Sequence, residues 1–212
     1  MRGPVRSDAG GLLCDDVSVA AEPQNDAEIG PGTLLIASTA LTGPTFARTV
    51  IYLIEHDHNG TLGVVLNRMS EAAVFNVLPQ WAELAASPRA VFIGGPVQTE
   101  SAVCLGVTRS GIDPQTQPQL RPVLGPVVMV DLDADPEELA PVLTGVRIFA
   151  GYAGWDAGQL DDEIAEDSWL VAPGLPTDLL APADVDIWDT VLRRQPWPLP
   201  LLATYPVDPL TN

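Results

Sequence analysis

The sequence predicts an α+β fold. Apolar, β-branched runs of strand length outnumber helical stretches. The one connection it specifies sharply is antiparallel, at Asn59-Gly60. Strands and helices do not alternate as they would around a parallel sheet. With 212 residues, 46% of them hydrophobic, the chain suffices for one packed domain. Three regions are expected: a disordered N-terminal extension over 1–28, a single domain over 29–194, and a proline-rich tail over 195–212.

The extension mixes Gly, Asp, Ala, Pro and Asn without sustained periodicity. Residues 33–37 then read as a short buried strand, and 41–46, with Gly43-Pro44, as a loop. Residues 49–56 and 62–67 flank Asn59-Gly60, which predicts a hairpin with a type I′ turn. Val74, Val77, Leu78, Trp81, Leu84 and Ala85 keep helical spacing. Pro79 interrupts them, so a kink or two short pieces is expected, and Ser87-Pro88 ends the segment.

Val91-Phe92-Ile93 leads into an expected tight turn, Gly94-Gly95-Pro96-Val97, with a strand returning over 102–107. Residues 112–120 carry two prolines and read as a loop; 127–130 form a strand. Asp135 (N-cap), Pro136 and Glu138 open a helix that Gly145 closes. Residues 146–150 are a central strand candidate feeding a glycine-rich connection over 151–158, with Asp156 as expected N-cap of the next helix. Leu160 and Ile164 share a face of that helix, 169–172 form a strand, and Val185, Trp188, Val191 and Leu192 mark a last helix ending near Arg194. Five prolines follow Gln195, excluding a regular helix.

Several of these stretches together resemble the YqgE/AlgH family of small bacterial proteins. They are Leu35-Ile36-Ala37, Ala40-Leu41, Pro44, Phe46, Val50, Tyr52, Glu55-His56, Asn59-Gly60, Gly63 and Asn67, then Gly94-Gly95-Pro96. The longest is Gly151-Tyr152-Ala153-Gly154-Trp155, Gly158-Gln159-Leu160, Glu163-Ile164 and Trp169-Leu170. The resemblance runs in order through about residues 32–194 and implies a curved, largely antiparallel, barrel-like sheet surrounded by helices. It implies no catalytic residues. Some members carry a transcriptional-regulator label, which keeps that reading as an alternative. The chain departs from the family's usual pattern at Asp156, where many members have Gly.

Charge narrows the chemistry. There are 28 acidic residues against 10 basic ones, all arginine, for a net charge of −18. Without lysine, Schiff-base, pyridoxal-phosphate and P-loop chemistries are excluded. The field opposes duplex nucleic acid, whose contacts rely on Lys and Arg, and favours basic protein partners. Self-association stays open. Cys14 and Cys104 lack CxxC spacing, and Cys104 in an apolar run reads as an inert buried thiol. No signal peptide and no run of about 20 apolar residues is present, so a cytoplasmic protein without a membrane span is expected.

His56 and His58 share one side of a strand, with Glu55 and Asp57 on the other. Two imidazoles do not complete a metal site, and none is assigned. No nucleophile motif supports a triad, so no catalytic residue and no cofactor is assigned. The glycine connection over 151–158 reads as a strained junction packed by Tyr152 and Trp155, with anion binding by its backbone as the alternative. If both glycine turns lie at one end of the sheet, Asn67, Gly94, Gly95, Pro96, Tyr152, Gly154, Trp155 and Gly158 line a groove for a ligand or partner. The leading expectation is a regulatory or adaptor protein; a small-ligand-binding protein or weak enzyme is the alternative. The tail over 195–212 either folds back or docks on a partner.

Overall fold

The computed structural model describes residues 29–204. The extension expected over 1–28, with Cys14, and the last part of the tail, 205–212, lie outside the described residues.

Among the described residues ten strands build one curled, half-barrel sheet. They are β1 (Thr33–Ala37), β2 (Val50–Asp57), β3 (Gly60–Val65), β4 (Met69–Ala73), β5 (Ala90–Ile93), β6 (Val97–Thr108), β7 (Leu120–Leu124), β8 (Val127–Val130), β9 (Leu143–Asp156) and β10 (Trp169–Pro173). The main order is β10-β1-β2-β3-β9-β6-β8-β7; β5 pairs with β9 and carries β4. Every pairing is antiparallel except β5 with β9. Five short helices accompany the sheet in the described residues: α1 (Val74–Val77), α2 (Pro136–Leu139), α3 (Gln159–Ala165), α4 (Pro176–Leu179) and α5 (Ile187–Arg193).

Side chains alternate between the two faces of a strand, and here both faces are covered. Leu34, Ile36, Val50, Tyr52 and Ile54 join one apolar cluster, while Leu35, Ile51 and Leu53 join another. The first cluster is completed by α5, which inserts Ile187, Trp188, Val191 and Leu192. The Trp188 indole, fully buried, donates to the Ala37 carbonyl at 2.9 Å. The residues after α5 fold back: the 3₁₀ turn Leu199–Thr204 places Ala203 in the same cluster, while Trp197 stays exposed.

The long strand β9 holds the sheet together. Along one edge it pairs with β3 and β5, and along the other with β6. The link between β5 and β6 therefore crosses over β9, backbone on backbone. A Cβ on Gly94 would fall on the Gly151 carbonyl oxygen, and one on Gly95 on the Tyr152 backbone. Gly151 sits at φ 67°, and a Cβ there would press on the Val97 and Gly95 oxygens. Only glycine permits so close an approach from both sides. Hydrogen bonds fix the crossing: the Gly94 amide donates to the Ala150 carbonyl, and its carbonyl accepts from the Val65 amide, both at 2.8 Å.

Several expectations require correction. Residues 151–156 are the second half of β9 rather than a connection between strand and helix. The helix that follows is capped by Gly158 at φ 78°, not by Asp156. Residues 94–97 do not form a tight turn; they are the extended crossover just described, and β6 begins at Val97 rather than near 102. The hairpin is present, but its two-residue loop is His58-Asn59, and the positive φ falls on Gly60 (146°), so the turn is not type I′. The Asp57 carboxylate shapes it by accepting from the Asn59 amide at 2.7 Å.

The helix opened by Asp135 ends at Leu139, because Leu143 already enters β9. The segment after Val74 forms two short pieces, α1 and the 3₁₀ turn Pro79–Trp81. Strand β7 is additional to the expected strands; it carries Pro122 and lies at the edge of the sheet, where a missing amide is tolerated. Cys104 is a free, buried thiol, as expected, and burial raises its pKa. Among the described residues no helix is long and apolar enough to cross a membrane.

Candidate functional site

The last residues of β9 and the β2–β3 hairpin form the walls of an open cleft of about 490 Å³. Tyr152, Gly154 and Trp155 line one wall; Glu55, Asp57 and Asp156 bring carboxylates to it. The hairpin alternation explains this: Glu55 and Asp57 face the cleft while His56, between them, faces a separate depression beside Gly32 and Pro173. Glu55 is tied to Arg121 at 2.6 Å across the sheet. Among the described residues, no cation pairs with Asp57 or Asp156. The Asn59 backbone amide and then its side chain hold the Asp57 carboxyl below the usual carboxylate range. Asp57 is therefore ionised at neutral pH.

Beneath the cleft, Trp155 is fixed by a hydrogen-bonded assembly that uses most of the long signature. Its indole donates to one Glu163 carboxylate oxygen at 2.9 Å, and the Trp169 indole donates to the same oxygen at 2.7 Å. Gln159 donates to the other oxygen at 2.9 Å, and its own side-chain oxygen accepts from the Asp156 amide at 3.1 Å. The Trp155 and Trp169 rings meet edge to face, 6.0 Å apart, and Phe46 stacks in the same manner on Trp169. The signature residues Trp155, Gln159, Glu163 and Trp169 thus anchor α3 under β9.

The residues expected to share one groove are distributed. Tyr152, Gly154 and Trp155 belong to the acidic cleft. Gly95 and Pro96 line a second cavity of about 260 Å³ with Phe46, Arg68 and Ile93. Gly94 is buried in the crossover, and Gly158 is exposed at the start of α3. The two glycine segments do meet, but their backbones touch. Asn67 lines a third cavity, beside Arg147; its side chain accepts from the Val50 amide at 3.1 Å and donates to the Arg48 carbonyl at 2.7 Å. It extends the ladder past the end of β3.

His56 lies within 2.7 Å of the Thr61 hydroxyl, and His58 is in the hairpin loop. Among the described residues no three His, Cys, Asp or Glu side chains are placed to hold a metal ion. The carboxylates of the cleft escaped the sequence reading because acids are spread along the whole chain; the usable signal was the i, i+2 spacing of Glu55 and Asp57 before a hairpin turn.

The arrangement has counterparts. A family model described as AlgH-like matches residues 34–200. A UPF0301 protein of Mycolicibacterium gilvum is 62% identical over 177 residues, spanning 84% of this chain and 87% of that protein. One from Mycobacterium tuberculosis is 58% identical over 194 residues, spanning 92% and 94%. The crystal structure of a Corynebacterium diphtheriae protein superposes with a TM-score of 0.82 at 47% identity, covering 84% of this chain and 93% of the other. The solution structure of AlgH from Pseudomonas aeruginosa superposes with a TM-score of 0.60 at 29% identity, covering 89% and 98%. On the extent of the match and the similarity of these folds, the chain belongs to the AlgH-like family.

Proposed function

We propose that the chain is a non-catalytic regulatory or adaptor protein of the cytoplasm, and that its acidic cleft receives a basic segment of a protein partner. The observation that supports this most directly is the pairing of the half-buried Tyr152 ring with the carboxylates of Asp57 and Asp156 in the same cleft. An arginine or lysine side chain finds in such a cleft both opposite charge and an aromatic surface for its stem. The net charge of −18 steers a basic partner toward the molecule from a distance.

The test is affinity capture from lysate with mass spectrometry, comparing wild type with Tyr152→Ala and Asp156→Asn. Both positions lie at the surface of the cleft, so the fold, followed by melting temperature, should persist. A specific partner is expected that is released by added salt and captured several-fold less well by either variant. A partner retained equally by both variants, or repeated failure to recover any, would count against the reading. Retardation of duplex DNA at physiological salt would instead favour the transcriptional-regulator alternative.

A further inference from the structure

Arg147 is the one buried arginine among the described residues, with 3% of its surface exposed. It stands on β9 opposite Leu105 of β6, with its guanidinium carbon 4.3 Å from the centre of the Phe92 ring. Nη2 donates to the Ser87 carbonyl at 3.1 Å, while Nε is closed off from solvent with no acceptor among the described residues. Among the described residues no carboxylate pairs with this guanidinium. Arg48, Arg89, Arg121, Arg193 and Arg194 each have one. Acids are not scarce in a chain with 28 of them. Burial lowers the Arg147 pKa to about 10, which still leaves the group cationic at neutral pH. A buried cation without a counter-charge is costly to keep.

Arg147 lines a cavity of about 110 Å³, room for about three or four water molecules. Leu66, Phe92 and Ile187 give it apolar walls, and the exposed Met69 and Val185 stand at its mouth. Its other polar lining side chain is Asn67, already engaged with the Val50 amide and the Arg48 carbonyl. The site thus offers one charged fork in an apolar chamber. A phosphate brings close to two charges and needs several donors, which these walls do not supply. One carboxylate on a short hydrocarbon matches both features.

We propose that the cavity beside Arg147 binds a short-chain aliphatic monocarboxylate, its carboxylate accepting from the part of the Arg147 guanidinium that lines the cavity and its hydrocarbon lying against Leu66 and Ile187. This site is separate from the acidic cleft, and either reading can fail without the other.

The experiment follows the arginine Nε–H resonances of the ¹⁵N-labelled full-length chain during titration with sodium propionate, with sodium chloride as control. The Arg147 signal, assigned by its loss in Arg147→Met, is expected to move and saturate at millimolar propionate and to be indifferent to chloride. The melting temperature of the wild type should rise over the same range, and that of Arg147→Met should not. Ala183→Leu, an exposed wall position, narrows the chamber without touching the core and is expected to weaken binding roughly tenfold or more. An unmoved Arg147 signal, an equal response to chloride, or stabilisation by propionate that survives in both variants would overturn the assignment.

Discussion

Tyr52 and Glu163 are two polar residues whose surroundings determine how they behave. Tyr52 is 1% exposed beneath α4 and α5, and burial, reinforced by the Asp178 carboxylate, raises its pKa from the usual value near 10 to about 12. The neutral phenol is the form that fits the fold. Its contribution is fully present below pH 10 and is lost as pH climbs through about 12, amounting to roughly 2–3 kcal/mol across that window. Tyr52→Phe keeps the ring and removes the titration, so denaturation curves at pH 9 and at about pH 12 should show a smaller loss for the variant than for the wild type. Comparing the two proteins cancels the opposite alkaline trend of Arg147, whose lowered pKa favours the folded form at high pH. Glu163, in contrast, is held as an acceptor: two indoles converge on one of its oxygens, so its role is to lock Trp155 against α3 rather than to react.

The glycine crossover governs the behaviour of the neighbouring elements. Gly94→Ala or Gly95→Ala places a methyl group onto backbone atoms that cannot rotate away, and Gly95 also stands at φ 157°. Each should lower the free energy of unfolding by at least about 2–3 kcal/mol, read from urea melts, whereas Gly43→Ala, whose Cβ meets nothing within 4 Å, should change it little. The same crossover marks the limit of what could be read from the chain. The β2–β3 hairpin, β1, β8 and β10 follow from apolar runs whose residues divide between two covered faces, and α5 from the helical spacing of four residues that enter one cluster. Residues 151–156 did not, because Gly151 and Gly154, with Gly158 close behind, suggest a bend, while here glycine serves close backbone contact inside a strand. Tyr152, Gly154 and Trp155 were recognised as a group and do line one cleft; their distance from Asn67 depends on which strands become neighbours, which no local pattern encodes. Arg147 stands between Val146 and Ile148 in a run of strand length, and only tertiary packing removes it from water.

At the scale of the molecule, β9 joins two groups of strands that are complete in the order of the chain long before it: β1, β2 and β3 on one side, β6, β7 and β8 on the other. Between them its place is vacant until residues 143–156 exist. During synthesis the ribosome therefore delivers two half-sheets that share no ladder, with facing edges open to wrong pairing. Nascent chains stalled with only residues up to 142 outside the exit tunnel should be cleaved readily by protease, and protection should arrive abruptly once β9 has emerged and settled under Gly94 and Gly95. A late keystone of this kind makes the newborn chain dependent on staying unpaired while it waits, so holding chaperones should matter more to its yield than the stability of the finished fold would suggest.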